Sequence, residues 1–175
     1  MKDNVFNFCP DCGSKNIQTL LNGRKWFCPD CGFDLYNNVA SAVGVVIENS
    51  KGEILFEKRA KNPRKGFLAL PGGFCEPDET AEQSAVRECR EEVGLEVCDI
   101  KFLCSFPNTY VYRDIIYKTC DIFFTAKIKE GAQIKMDESE VSEYVWVSAD
   151  TMEEIEKIPL AFDSAKKTLL KRIEK

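Results

Sequence analysis

Apolar residues along this chain fall into short runs separated by turn-forming residues, and the spacing within the runs changes along the chain. Residues 41–48, SAVGVVIE, predict a mostly buried strand, and Asn49-Ser50-Lys51-Gly52 predicts a turn into a second strand, EILFEKR, over 53–59. A loop containing Pro63 leads to FLAL (67–70), which Pro71-Gly72-Gly73 breaks. From Ala81 the chain reads as a helix. Thr80 suits its N-cap, Gln83 completes a capping box, and Gly94 suits the position just past its C-terminus. Alternating or apolar runs return at 100–105, 109–117 and 119–128, and at EYVWV (143–147). Ser148 or Asp150 is placed to cap a helix over 151–157, and an amphipathic helix over 162–174 carries Ala165, Leu169, Leu170 and Ile173. Strands, a central helix, more strands and a terminal helix predict one mixed α/β domain over residues 39–175.

Residues 1–38 read differently. Cys9-Pro-Asp-Cys12-Gly and Cys28-Pro-Asp-Cys31-Gly set out C-x₂-C-x₁₅-C-x₂-C, the spacing of a four-thiolate Zn²⁺ site. Between the pairs, IQTLL and RKWF flank Asn22-Gly23, a two-residue hairpin signal that brings the four sulfurs together. The segment resembles a zinc ribbon, in which the metal organises a piece too small to hold a core. Cys75, Cys89, Cys98, Cys104 and Cys120 lack metal spacing and are expected to be reduced and largely buried. In residues 1–38, Lys2, Lys15, Arg24 and Lys25 balance Asp3, Asp11, Asp30 and Asp34, and a Zn(Cys)₄ centre adds about −2. No basic patch results, which favours a structural or dimer-forming role over nucleic-acid binding.

Composition narrows the class further. At 175 residues and 44% hydrophobic the chain can bury one good core with a small appendage. Its net charge of −5 opposes broad attraction to nucleic acid or anionic membrane. No apolar run approaches the roughly 18 residues of a membrane helix, and the N-terminus has no secretory h-region, so a cytoplasmic protein is expected. There is no histidine, so acid–base work falls to carboxylates, Lys, Tyr or Cys.

The window 76–96 holds eight acids and two arginines. On its helix, Glu88, Glu91 and Glu92 fall within an arc of about 100°. Such carboxylates repel by a few tenths of a kcal/mol per pair. A divalent cation relieves that crowding, and oxygen ligands suit Mg²⁺, which takes one or two carboxylates plus substrate phosphates. The order Gly73, five residues, Glu79, seven residues, Arg87-Glu88-Cys89, one residue, Glu91-Glu92, one residue, Gly94-Leu95 resembles the signature of the Nudix hydrolases at every fixed position. Cys89 stands where the family usually has a larger aliphatic residue.

That resemblance implies a Nudix fold, a mixed β-sheet between helices, preceded here by the Cys₄ ribbon. It implies hydrolysis of a nucleoside diphosphate derivative by water attack on phosphorus, dependent on Mg²⁺ or Mn²⁺. By similarity Glu88, Glu91 and Glu92 bind the metal and the Gly73 carbonyl adds a ligand. Glu79 supports the cluster, and Arg87 pairs with the acids to hold the face in shape. One of these carboxylates, or Glu138, Glu140 or Glu143 from the later loop, is the candidate base. Arg59, Arg64 and Lys65 precede the PGG turn and are candidates for phosphate, while Phe106, Tyr110 and Tyr112 are candidates for base stacking.

A ribbon followed by this signature resembles the NADH pyrophosphatases, which also remove NAD caps from RNA. Their SQPWPFP stretch corresponds to Ser105-Phe106-Pro107-Asn108-Thr109-Tyr110, which keeps Ser, Phe and Pro in order but lacks Gln-Pro-Trp. Pro107 falls short of the proline position that marks ADP-ribose hydrolases, whereas Tyr112 satisfies the tyrosine position that marks dinucleoside polyphosphate hydrolases. ADP-ribose or an NADH-like compound is the expected substrate, a capped RNA end the one expected nucleic-acid partner, and a homodimer is compatible with the family. The alternative is a nucleotide-sensing or zinc-ribbon binding module without catalysis, which would be expected to have lost acids from the metal face.

Overall fold

The computed structural model describes residues 6–113, 115–129 and 131–174, which form two compact units. The first comprises the chain up to Val39 together with Thr109–Lys118. The second comprises Ala40–Asn108 and Thr119 onward.

In the first unit, strands β1 (Gln18–Leu20), β2 (Lys25–Phe27) and β3 (Asp34–Tyr36) form an antiparallel sheet in the order β1-β2-β3. Leu20 pairs with Lys25, so the hairpin loop has four residues rather than the two that Asn22-Gly23 predicted. Leu21, Asn22 and Gly23 all have positive φ (52°, 55° and 85°), so a run of left-handed residues makes the turn. Both CPDCG segments fold the same way. Gly13 N–H donates to Cys9 O at 2.9 Å and Gly32 N–H to Cys28 O at 2.8 Å. Cys9 and Cys28 N–H donate in turn to Ser14 O and Phe33 O. Gly13 and Gly32 sit at φ 73° and 81°, a region that L side chains rarely adopt. Trp26 is buried with the Phe6 ring edge-on at 4.9 Å.

The second unit carries β4 (Ala40–Ile47), β5 (Ile54–Arg59), β6 (Leu68–Ala69), α1 (Ala81–Val93), β7 (Val97–Tyr112), β8 (Ile115–Ile128), β9 (Val141–Val147), α2 (Met152–Lys157) and α3 (Asp163–Ile173), less the far end of the β7–β8 hairpin. One sheet runs β4-β8-β7 with β4 and β8 parallel, and another runs β6-β5-β9. The expected mixed architecture holds, divided between two three-stranded sheets.

Helices cover both faces, which is why β4 reads as an unbroken apolar run. Val43, Val45 and Ile47 pack with Leu55, Leu95, Phe124 and the Ala85, Cys89 and Val93 face of α1. On the opposite face Val46, Phe56, Leu70 and Phe123 pack with Ile155 of α2 and with Ala165 and Leu169 of α3. The runs at 100–105 and 109–117 are not separate strands. All of the first and Thr109–Tyr112 of the second lie in β7, which continues through Pro107, and Ile115–Tyr117 begin β8. Because β7 is an edge strand, a residue without an N–H costs the sheet little there.

Caps separate expectation from structure as well. Thr80 caps α1, accepting from Gln83 N–H, and Gly94 ends it at φ 66°. The cap of α2 is Thr151, not Ser148 or Asp150. Glu154 at the third helical position accepts from Thr151 N–H, and it also takes the Ser148 hydroxyl and the Asp150 N–H. All nine cysteines are free. Of the five outside the quartet, Cys89 is fully buried and the other four only half-buried, against the expected burial.

Candidate active site

The turn after β6 places backbone where α1 delivers its acids. Pro71 O accepts from Val45 N–H and Gly73 O from Val43 N–H at 2.8 Å, which lays Gly72 and Gly73 along β4. Backbone closes the first position to a side chain, and one at the second would displace the Glu88 carboxylate. A Cβ on Gly72 would lie 2.1 Å from Val43 O, and one on Gly73 would lie 2.6 Å from Glu88 Oε1. Two glycines therefore let strand, turn and carboxylate share one place.

Glu88 is buried, while Glu92 is half-buried and its Oε2 accepts from Gly72 N–H at 2.8 Å. Glu91 is 58% exposed and turns to Arg87, with Nη1 2.9 Å from its Oε2. Arg87 gathers the rest of the face: Nε meets Glu79 Oε1 at 2.9 Å, Nη1 meets Glu88 Oε1 at 2.8 Å, and Nη2 donates to Phe74 O. The Ser84 hydroxyl also donates to Glu79, at 2.6 Å. The sequence-derived acids and arginine thus lie together, Glu88 and Glu92 inward and Glu91 outward.

One acid of this cluster escapes the sequence reading. Glu57 in β5 is 2% exposed, lies within hydrogen-bonding reach of Glu92, and carries an Oε2 with no partner among the described residues. The available signal was strand alternation. Two residues after Leu55, which packs under α1, Glu57 shares that face of the strand.

The remaining candidates take other positions. Arg59 donates through Nε to Pro63 O, and its guanidinium lies 5.3 Å from the Phe162 ring centroid. Phe106 is half-buried in β7, and Tyr112, in the first unit, is exposed under the Arg113 guanidinium. Glu138, Glu140 and Glu143 are exposed, with Glu140 ion-paired to Lys61 and Glu143 to Lys58.

Burial pushes the Glu57 carboxyl well above its usual value, reinforced by the charge of Glu92. Burial likewise raises Glu92 to about 8, and it raises Glu88 despite the opposing pull of Arg87. Glu79 goes the other way, held at about 2 by Arg87 and then by Ser84. Three enclosed acids with raised values and an orphaned oxygen fit a divalent cation, whose charge offsets what burial and repulsion cost.

The sign of the pH dependence follows. In cation-free protein the raised groups stabilise most below their ordinary value of 4.5, and that contribution is lost as pH climbs through about 8. Glu79 contributes above 4.5 and is lost as pH falls toward about 2. The Tm of chelator-treated protein is expected to decline between about pH 5 and about pH 8, with Mg²⁺ or Mn²⁺ restoring most at the upper end. A cation effect independent of pH would contradict this.

In the first unit the four thiols Cys9, Cys12, Cys28 and Cys31 have sulfurs all within 4.8 Å of one another. Cys9 and Cys31 are 3.6 Å apart, and Cys12 and Cys28 are 3.7 Å apart. These spacings match the ~3.8 Å edge of a tetrahedron with Zn–S bonds near 2.3 Å and are far too long for a disulfide.

The family assignment follows from comparison with known proteins. The NUDIX domain model matches residues 39–170, and the glutamates of the cluster lie inside that span. The chain belongs to the Nudix family. It is 51% identical over 63 residues to the ADP-ribose pyrophosphatase of Methanocaldococcus jannaschii, covering 36% of this chain and 37% of that protein. It is 30% identical over 151 residues to the NAD-capped RNA hydrolase NudC of Pseudomonas aeruginosa, covering 83% of this chain and 49% of that one. The chain thus spans about half, or less, of the length of the curated relatives it matches. Among solved structures it resembles a Nudix hydrolase from Nitrosomonas europaea with a TM-score of 0.68 at 25% identity, covering 95% of this chain and 90% of that one. Nudix hydrolases use divalent metals, and the cysteine quartet is compatible with zinc. Among the described residues no helix is long and apolar enough to cross a membrane.

Proposed function

We propose that the chain hydrolyses the pyrophosphate linkage of a nucleoside diphosphate derivative, ADP-ribose or an NADH-like compound, with Mg²⁺ or Mn²⁺ as cofactor. The observation that carries this reading is the enclosure of Glu88 and Glu92 against the Gly72–Gly73 backbone, with Glu92 fixed by Gly72 N–H. Its substrate class is supported by relatives named for ADP-ribose and for NAD-capped RNA.

In this mechanism Glu88 and Glu92 hold the cation, and Glu91 is the outer acid of the same face. A cation held there would supply charge to neutralise the phosphates and would lower the cost of deprotonating water. Arg87 and Glu79 keep the acids in register, since one guanidinium ties both ends of the face. With no histidine in the chain, a carboxylate of this cluster takes the proton from the attacking water. We place a Zn²⁺ on Cys9, Cys12, Cys28 and Cys31 as a structural ion, with residues 1–38 as the ribbon and 39–175 as the catalytic domain. Nine cysteines without a disulfide suit the reducing cytoplasm.

Product analysis tests the reading. ADP-ribose, NADH, NAD-capped RNA and diadenosine polyphosphates are incubated with Mg²⁺ or Mn²⁺, and AMP with ribose 5-phosphate is expected from ADP-ribose. Tight binding of one of these without turnover of any would instead make the chain a nucleotide sensor.

A further inference from the structure

We propose that Glu57 is a further cation-holding carboxylate of this site, offering its buried, unpartnered Oε2 from strand β5 toward the acids of α1. This rests on the reading of the α1 face as a divalent-cation site and adds a ligand that the spacing of the α1 acids does not contain.

The placement is structural before it is chemical. β5 is the middle strand of its sheet, so Glu57 is paired on both sides, with Ala69 of β6 and Tyr144 of β9. Paired backbone fixes the direction of the side chain, and alternation with Leu55 aims it at α1 rather than at α2 and α3. There it meets Glu92 and lies near enough to Glu88 to feel its charge.

Such a position is costly for a carboxylate that only fills space. At 2% exposure one oxygen has no protein partner among the described residues, and an unmatched buried polar atom is strongly unfavourable. The neighbouring cation, Arg59, has its Nε on Pro63 O and its guanidinium over Phe162. Mg²⁺ and Mn²⁺ favour several oxygens arranged octahedrally. Glu91, the third acid of the α1 face, is turned outward onto Arg87, so Glu57 is the acid that joins Glu88 and Glu92 on the inner side.

The test measures Mn²⁺ binding to the full chain without substrate, by loss of the free-Mn²⁺ electron paramagnetic resonance signal, in wild type, Glu57→Gln and Glu92→Gln. Glu57→Gln is expected to weaken Mn²⁺ binding at least about tenfold and to shrink the Mn²⁺-induced rise in Tm. In chelator its Tm is expected to equal or exceed that of wild type, because a crowded acid has been removed. Wild-type Mn²⁺ affinity in Glu57→Gln, with affinity lost in Glu92→Gln, would overturn this inference alone and leave Glu57 a structural acid. Absence of Mn²⁺ binding in wild type would overturn both this inference and the proposed function. If Glu57→Gln does not fold, Glu57→Asp replaces it. Its withdrawn carboxylate is expected to show the same loss, and unchanged affinity in it would equally overturn the inference.

Discussion

Replacing Glu92 by glutamine is expected to lower kcat by about 10²–10³-fold while leaving the fold intact. The amide oxygen can still accept from Gly72 N–H, so the contact that positions the side chain survives. Its charge does not survive. Holding a cation that stabilises transition-state charge contributes several kcal/mol, and each 1.36 kcal/mol is a factor of ten in rate. The same change relieves repulsion with Glu88, so the cation-free variant is expected to be no less stable than wild type. Loss of turnover with undiminished Tm separates a catalytic acid from a structural one. Glu91→Gln serves as the internal comparison, since Glu91 is exposed and held by Arg87, and its loss is expected to be smaller. Turnover unchanged in Glu92→Gln at saturating Mg²⁺ would remove Glu92 from the site.

What could be read from the sequence depended on how local each feature is. The helix α1 was legible because its caps, apolar face and acid spacing all lie within one stretch, and the structure gives the expected Thr80 and Gly94 ends. The cysteine quartet was legible because each CPDCG closes on itself through its own backbone hydrogen bonds. Strand alternation gives the face of Glu57 but not its role, which depends on α1 arriving across the strand from some thirty residues away, and EILFEKR alone reads as an ordinary strand. The parallel pairing of β4 with β8 is similarly non-local. Other misses were chemical. The runs at 100–105 and 109–117 suggest two strands, yet the edge strand β7 continues through Pro107, and Asn22-Gly23 suggests a two-residue turn where left-handed Leu21 takes part in a four-residue one. Ser148 and Asp150 are also good caps in isolation, but Thr151 has Glu154 three residues on to complete its capping box.

Removing the zinc ligands is expected to have the largest structural effect, and that effect should stay within the first unit. Strands β1, β2 and β3 are three residues each, and the side chains buried in the unit include two of the four cysteines, Cys9 and Cys28, alongside Trp26. Such a piece has little apolar surface to bury, whereas structural Zn²⁺ in comparable small sites contributes about 10–16 kcal/mol. The thiols are also poorly suited to each other without a metal. Cys9 is lowered to about 7 because backbone N–H groups from Cys12 and Asp11 outweigh its burial. Cys31 is raised to about 12, its N–H bond from Phe33 outweighed by burial and the neighbouring sulfurs. Zn²⁺ entry must therefore expel protons, and zinc affinity is expected to fall steadily as the medium is acidified. Cys28→Ser/Cys31→Ser, or exhaustive chelation, is expected to remove about one Zn²⁺ per chain and to bring hydrogen exchange across Gln18–Tyr36 close to the unfolded rate. Helix α1 is expected to keep its protection, since both core clusters of the second unit are built from that unit's own residues. Slow exchange across Gln18–Tyr36 in zinc-free protein would show that this sheet holds without the metal.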